Sequence, residues 1–436
     1  MSNPFGANPQ VIALAIARMA ESIGNSFLVI VLPLFIASDL IGGAAFGITE
    51  IVMTGIILSI FGFVNSPLQP YTGRLSDRTG RRKIFVLAGL ALLSVSSFAF
   101  TFASTYLHLI GIRVLQGIAG ALIIPTTVAL VNDLATDENR GGNMGTYNTF
   151  LLVGFGVGPI VAGGVVTAGP YIVPGMEVLV SGFDAAFYFA ALTAAISFLL
   201  VLFTIRDPDI EPTGDSRGLL DNLAIFDDRD DRLLDPVFSL GIITFIMAIG
   251  IAIFATLGDL LNDLLNQSPT MFGLQFAAFI LAQIFLQAPI GRATDYYGRK
   301  VFIAIGTILL VPATLVQGFI PVLPPTVLFV SEPWMMVIAR FVQGVAGAMI
   351  FAPALALAGD MARKGESGST LAVLTMAFSF GVAVGPFLSG VLVGWGFAIP
   401  FVFAALLAVI AVVIIFTQVE DVNRPKRALP LTQYLT

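Results

Sequence analysis

Apolar residues in this chain come in unbroken runs rather than in alternating or striped patterns, and short polar turns separate the runs. Twelve runs fall at about 11–37, 46–68, 84–104, 107–131, 145–167, 183–205, 236–258, 272–290, 301–321, 334–357, 371–393 and 395–417. Each is long enough to cross a hydrocarbon layer of roughly 30 Å at a helical rise of about 1.5 Å per residue. Gly and Pro inside several runs are compatible with helices in a membrane. The pattern predicts an all-α membrane protein of twelve spans. Its tightest junction lies near 393–396, where Gly394 and Gly396 flank Trp395.

The polar intervals carry the orientation. If both termini lie inside, three of the 21 basic residues (Arg18, Arg113 and Arg340) fall within spans and the other 18 fall in inside loops. That is the bias expected of a protein in the cell membrane with cytoplasmic termini. The inside segment 206–235 holds ten Asp and Glu residues, including the run DDRDDR at 227–232, and reads as a solvated linker. It divides the chain into a six-span bundle at 1–205, the linker, and a second six-span bundle at 236–436 with a short tail. The apolar stretch 219–226 suits a short helix at the membrane interface. Outside, 169–182 is expected to be an ordered loop and 321–333 a looser one.

The chain also repeats itself. Residues 113–133 read RVLQGIAGALIIPTTVALVND and residues 340–360 read RFVQGVAGAMIFAPALALAGD, an offset of 227. GFGVGPIVAGG at 154–164 returns at the same offset as GVAVGPFLSG at 381–390. GRLSDRTGRRK at 73–83, between spans two and three, returns as GRATDYYGRK at 291–300, between spans eight and nine. Three pairs in the same order predict two six-helix halves in parallel orientation.

Composition agrees with the pattern. Hydrophobic residues make up 57 % of the chain and charged residues 11 %, against roughly 25 % charged in a soluble domain. The absence of cysteine excludes disulfides and thiolate chemistry. The net charge of −6 suits loops bathed in high salt, where extra carboxylates are screened. Residues 1–10 carry no basic residue, so the first span is expected to be retained rather than cleaved as a signal. There is no paired-carboxylate cleft, metal-spaced His/Asp cluster or nucleotide-binding P-loop, so no enzyme, cofactor, metal, nucleic-acid partner or ATPase subunit is expected. Lipid, a small-molecule substrate and a coupling ion are the expected partners, around a monomer.

The repeated loop motifs join two spans through a basic turn. Gly73 and Gly80, like Gly291 and Gly298, permit sharp turns and close approach. Asp77 and Asp295 are placed by the sequence just before the next helix, where a carboxylate can cap backbone N–H groups. With Arg78, Arg81, Arg82 and Arg299 they read as a charged latch on the inside face, beyond their plain topological role. The stretches Gly154, Gly158, Pro159, Gly163 and Gly381, Gly385, Pro386 present small-residue faces for close helix packing, with prolines that can bend each helix.

The ionisable residues within spans are the most informative. A charge at the bilayer centre costs at least about 2.5–3.5 kcal/mol, so each needs a partner or a polar cavity. Glu21 lies near the midplane of span one, with Arg18 one turn nearer the inside and Asn25 one turn further out. Arg18–Glu21 is either a structural intrahelical pair or a proton-coupling site. Arg113 with Gln116, and Arg340 with Gln343, enter spans four and ten at matching depth. His108 reads as an interface residue; Asn65, Gln69, Asn148, Gln283 and Gln287 either line a cavity or bridge helices.

Taken together, these motifs resemble the major facilitator superfamily from the first span to about residue 417. GRLSDRTGRRK resembles its loop 2–3 signature, Arg113–Gly120 its span-four motif linked to proton transfer, and GFGVGPIVAGG the span-five signature of drug–proton antiporters. The resemblance implies alternating access by two rocking bundles, with spans one, four, seven and ten lining a cavity that holds Glu21, Arg113 and Arg340. It also implies that Asp77 stabilises the outward-facing form. Two departures stand out: the span-eleven echo of the antiporter signature, and the second arginine, Arg340. The leading expectation is a proton-coupled exporter of small amphipathic or drug-like compounds, in which Arg113 tunes Glu21. The alternatives are a symporter or exchanger of an organic anion or zwitterion clamped by Arg113 and Arg340, and a lipid or lysolipid flippase.

Overall fold

In a computed structural model of the chain, the described residues are 9–38, 40–42, 47–134, 140–172, 179–207, 233–322, 330–361 and 367–421, without the side chains of 140–142, Ala288, Asp295, 367–370 and Ala372. The acidic run at 227–232, the apolar stretch 219–226 and the middles of the loops 169–182 and 321–333 lie outside them. The helices are α1 Pro9–Ile36, α2 Glu50–Thr79, α3 Arg82–Ala99, α4 Tyr106–Asp133, α5 Arg140–Ala168 and α6 Gly182–Thr204. They continue as α7 Pro236–Ala252, α8 Gly258–Leu264, α9 Pro269–Tyr297, α10 Arg299–Phe319, α11 Glu332–Met361, α12 Ser367–Leu392 and α13 Ile399–Gln418. Twelve of the segments are long and apolar enough to cross a membrane, as the hydrophobic pattern predicted. A two-residue antiparallel pair, Tyr171–Ile172 with Leu179–Val180, joins the two ends of the connection between α5 and α6.

Two boundaries differ from the expectation for physical reasons. Span seven runs on to Leu264, and a 3-10 segment, Ile253–Leu257, separates α7 from α8. The apolar run ended at 258 because Asp259 and Asp263 follow, yet both remain helical. Helices α2 and α9 continue through the loop motifs to Thr79 and Tyr297, which carries Asp77 and Asp295 inside helices instead of ahead of the next one. The turns occur at Gly80 (φ 64°) and Gly298 (φ 92°), left-handed positions that favour glycine. Gly73 and Gly291 sit within the helices and turn nothing.

The chain forms two units: Met1–Ser216 with Leu257–Ala277, and Arg217–Thr256 with Ala278–Thr436. In the first, α1 packs on α5 and α6, and α3 on α4 and α6; in the second, α7 packs on α12 and α13, and α10 on α11 and α13. The neighbour relations are the same, which is the pseudo-symmetry the repeats foretold. Large apolar side chains such as Leu406, Ile410 and Val413 on α13 stay exposed. Lipid, not water, is the solvent that suits them.

The small-residue faces bring helix backbones together. A Cβ on Gly154 would stand 2.5 Å from the Met19 carbonyl oxygen, and one on Gly158 2.7 Å from that of Ile23, both on α1. On α12, Gly381 and Gly385 meet the Phe245 and Ile249 carbonyl oxygens of α7 in the same way, at 2.5 and 3.0 Å. Gly163 approaches Pro269 at the start of α9, at 2.6 Å. Ser26 Oγ donates to the Ser22 carbonyl (2.7 Å) and lies 3.4 Å from the Gly154 carbonyl, so the crossing of α1 and α5 also carries polar contact. Gly158→Val is expected to lose about 1–3 kcal/mol through overpacking, seen as a lower midpoint of thermal unfolding in detergent. Gly164→Ala, with nothing within 4 Å of the added carbon, should leave that midpoint unchanged.

Candidate functional site

Arginine at position 113 enters the first unit seven residues into α4, too deep for its guanidinium to reach water, and the helix places it against α2. Its Nε donates to the Ile57 carbonyl (3.1 Å) and its Nη2 to the Leu58 carbonyl (3.0 Å). Its Nη1 donates to Gln116 Oε1 (3.0 Å), and the Phe61 ring covers it with the centroid 5.0 Å away. The amide of Gln116 in turn donates to Ser97 Oγ on α3 (3.1 Å). The second unit repeats the arrangement. Arg340 Nη1 donates to Gln343 Oε1 (2.6 Å), whose amide donates to Thr314 Oγ1 on α10 (3.1 Å) and to the Gly250 carbonyl (3.0 Å). The rings of Phe254 and Phe279 cover Arg340 at 4.4 and 5.1 Å, and its side chain is wholly enclosed.

Each triad of arginine, glutamine and hydroxyl therefore bolts three or four helices together. The second also reaches the break in span seven. Gly250 and Ile251 lie just before the 3-10 segment, and their carbonyl oxygens face Gln343 and Arg340 (the latter at 3.4 Å).

Glu21 and Arg18 form an ion pair across one turn of α1, and both are buried. They face the interior of the first unit. The small cavity they line is walled by Val86 and Leu90 of α3, Ile123 and Thr127 of α4 and Val201 of α6. Ser22, the next residue, turns toward α5 and donates to the Arg18 carbonyl (2.6 Å). Asn25 is half-buried one turn further out.

At the ends of the helices that carry the loop motifs, Arg82 bridges Asp77 at the end of α2 and Asp133 at the end of α4, and also donates to Ser76 Oγ (3.2 Å). Arg299 pairs with Asp360 at the end of α11 and donates to the Ala356 carbonyl. Counted from Gly80 and Gly298, Arg81 stands where Arg299 does, yet it is Arg82 that makes the matching ion pair, because the first motif is one residue longer and α3 starts at Arg82 where α10 starts at Arg299. Arg78, at the last turn of α2, and Arg81, ahead of α3, are exposed. Asp295 lies in α9, and its side chain is outside the described residues.

The helix N-termini at these ends are capped from elsewhere. Asp207, just past α6, accepts from the backbone N–H of Lys83 (2.7 Å). Asp421, just past α13, accepts from those of Arg299 and Lys300 (both 3.0 Å). Burial pushes the Asp421 carboxyl above its ordinary value, against the lowering effect of those hydrogen bonds. Among the described residues no group of three or more His, Cys, Asp or Glu is placed to hold a metal.

Each bundle thus carries the repeated motifs, one buried triad and an arginine–aspartate pairing at the start of its third span. Residues 14–235 and 240–433 match the Major Facilitator Superfamily. The chain belongs to that superfamily. It is similar to the quinolone resistance protein NorA of Staphylococcus aureus, 24 % identical over 379 residues that cover 85 % of this chain and 88 % of NorA. A second relative, an uncharacterized MFS-type transporter of Methanocaldococcus jannaschii, is 29 % identical over 210 residues, 47 % of this chain and about half (51 %) of that protein. Among solved structures, the nucleoside transporter NupG superposes with a TM-score of 0.71 at 14 % identity, covering 93 % of this chain and 98 % of NupG. A bacterial homolog of the human lysosomal transporter Spinster gives 0.72 at 15 % identity, covering 94 % and 97 %. At these identities the structures show the fold alone.

Within the superfamily frame, Glu21, Arg113 and Arg340 were expected to share one cavity. Here each is enclosed by helices of its own unit. The partner of Glu21 is Arg18, not Arg113, because Arg113 turns to the α2 carbonyls. Asn65 and Gln69 bridge one turn of α2 (3.2 Å), while Asn148 and His108 are exposed; Gln283 lies beside Gly347. The covering rings and the hydroxyls Ser97 and Thr314 were not singled out from sequence. The repeats did hold the signal: Phe61 and Phe279 stand 218 apart, the offset of the loop motifs, and Ser97 and Thr314 stand 217 apart, the offset between the starts of α3 and α10. Gln116→Leu and Gln343→Leu each leave an arginine N–H and a hydroxyl without the glutamine. Each is expected to cost about 1–3 kcal/mol, read as a lower unfolding midpoint for the purified protein.

Proposed function

We propose that this superfamily transporter is a proton-coupled exporter of small amphipathic compounds, seated in the cell membrane with both termini in the cytoplasm. The observation that carries the reading is Glu21, the one acidic side chain among the described residues that is buried. An ionised carboxylate there depends on Arg18, and a protonated one does not, so the group has two states of different charge within the membrane. The similarity to NorA along most of the chain supports a drug-like substrate class. Arg82 with Asp77 and Asp133, and Arg299 with Asp360, would latch the inner face in one state and part in the other. Alternating access then follows from two bundles that each hold their own shape through a buried triad.

Glu21→Gln is expected to abolish efflux driven by an imposed pH gradient in proteoliposomes loaded with a fluorescent lipophilic cation. It should leave passive dye leakage unchanged. The competing reading is an organic-anion or zwitterion carrier, and a solved relative in fold, the human organic anion transporter MFSD10, keeps it in view at a TM-score of 0.59 and 18 % identity, covering 94 % of this chain and all of that one. It requires Arg340 to leave Gln343 and the two rings. If Glu21→Gln transports normally while Arg340→Ala does not, the anion carrier replaces the exporter.

The orientation is testable separately, since the chain has no cysteine to create background. Thr79→Cys, at the exposed last residue of α2, should react with an impermeant maleimide only in inside-out vesicles. Ser104→Cys, in the exposed turn before α4, should react only in intact cells.

A further inference from the structure

The two units invite a residue-by-residue comparison around Glu21. Gly154 and Gly158 of α5 meet Met19 and Ile23 of α1, and Gly381 and Gly385 of α12 meet Phe245 and Ile249 of α7. Positions on α1 and α7 therefore correspond at an offset of 226. At that offset Arg18 and Glu21 become Thr244 and Met247. On α4 and α5, where the offset is 227, Thr127 and Tyr147 become Ala354 and Leu374. All four residues of the second unit are buried, and three are apolar. The fold fills this position with hydrocarbon when it can, so the polar cluster in the first unit is not a demand of the packing.

The cluster is one connected object. Thr127 Oγ1 donates to the Ile123 carbonyl (2.8 Å), which leaves the 2.7 Å contact with Tyr147 to be donated by the phenol. The phenolic oxygen then keeps its lone pairs for a donor. Tyr147 packs in the same buried core as Val86, Leu90, Ile123 and Val201, which wall the Arg18–Glu21 cavity, and its phenol contacts Thr127, which lines that cavity too. Arg18 Nε is buried and has no hydrogen-bond partner. From the helices around the pair, α3 and α6 present only Val86, Leu90 and Val201, α4 presents Ile123 and Thr127, and α5 presents Tyr147. Among the described residues, the charged groups facing Glu21 thus reduce to Arg18, and the titratable ones to Arg18 and Tyr147.

Protonating Glu21 removes the anion but leaves a guanidinium buried, and a buried cation without an acceptor is costly. We propose that Tyr147 is the second anchor of Arg18: as Glu21 takes up a proton, the guanidinium shifts from the carboxylate to the Tyr147 phenolic oxygen, which Thr127 holds in position. Tyr147 is then a positioning residue for the coupling proton. It stabilises the protonated form and raises the affinity of Glu21 for protons. This deepens the proton-coupling reading and rests on it.

The test titrates the carboxyl itself, by infrared difference spectroscopy of the full-length protein in lipid films, so no substrate is needed. A protonated-carboxyl band that grows as pH falls and is missing in Glu21→Gln reports Glu21. Tyr147→Phe removes the acceptor without altering the ring, and should lower the titration midpoint by about one pH unit, the worth of one hydrogen bond to a charged group. Thr127→Val, which frees the phenol to turn away, should move it in the same direction and serves if the tyrosine variant does not fold. An unchanged or raised midpoint in a folded variant overturns the second-anchor proposal and leaves proton coupling standing. No Glu21 band at any pH overturns both.

Discussion

A charge inside hydrocarbon must be solvated by the protein, and the arrangement of this chain follows from how each buried arginine meets that demand. Arg113 takes the carbonyls of Ile57 and Leu58, the amide oxygen of Gln116 and the face of Phe61. Carbonyl dipoles and a ring quadrupole replace the missing water, and neither needs a counter-ion. Because the donors of one guanidinium point to several helices at once, solvating it also fixes those helices. Arg340 does the same for α11, α7, α9 and, through Gln343, α10. The triads hold each bundle as a unit, and a unit that keeps its shape is what a rocking mechanism requires.

The ends of the bundles that carry the loop motifs obey the same electrostatics in a less enclosed setting. There the arginines find carboxylates: Arg82 has Asp77 and Asp133, and Arg299 has Asp360. In these pairs the arginines are largely enclosed while the carboxylates stay partly exposed, so water can take over the carboxylates when a pair parts. That suits contacts meant to be broken and remade, whereas the buried triads would leave stranded donors if opened. The caps at Asp207 and Asp421 add a further tie, since each comes from the chain just past the last span of its bundle and grips the start of the third. The linker and the tail are thereby joined to the latch loops through single carboxylates.

Much of the fold was legible because the membrane imposes a coarse rule: twelve apolar runs became twelve spans, and three repeated motifs became two bundles with the same neighbour relations. The sequence was less able to show where a helix ends when polarity and helicity disagree. Asp259 looked like the edge of span seven and is helical; Asp77 looked like a cap and lies in the last turn of α2. The site was legible as residues but not as directions. Arg113, Gln116, Arg340 and Gln343 were visible by repetition, yet depth along a helix does not say which neighbour a side chain turns to. The rings and hydroxyls that complete the triads were hidden because Phe, Ser and Thr are unremarkable inside a membrane span.

Repetition also separates what the fold needs from what has been added to it. Where both units keep a feature (the glycine faces, the triads, the arginine-to-aspartate latch), the simplest reason is construction: both bundles must pack, stay rigid and close. Where the units differ at matching positions, construction cannot be the reason, since one of them manages without. Met247, Ala354 and Leu374, with the single hydroxyl of Thr244 bonded back to its own helix, show that the interior of such a bundle closes without charge. Arg18, Glu21, Thr127 and Tyr147 bring two charges into that same space, and a buried ion pair rarely repays its desolvation when compared with apolar residues of similar volume. The asymmetry therefore argues against stability as the reason for the pair and favours the proposed work done by charge, inside the first unit and between the Met19 and Ile23 contacts at which α1 crosses α5.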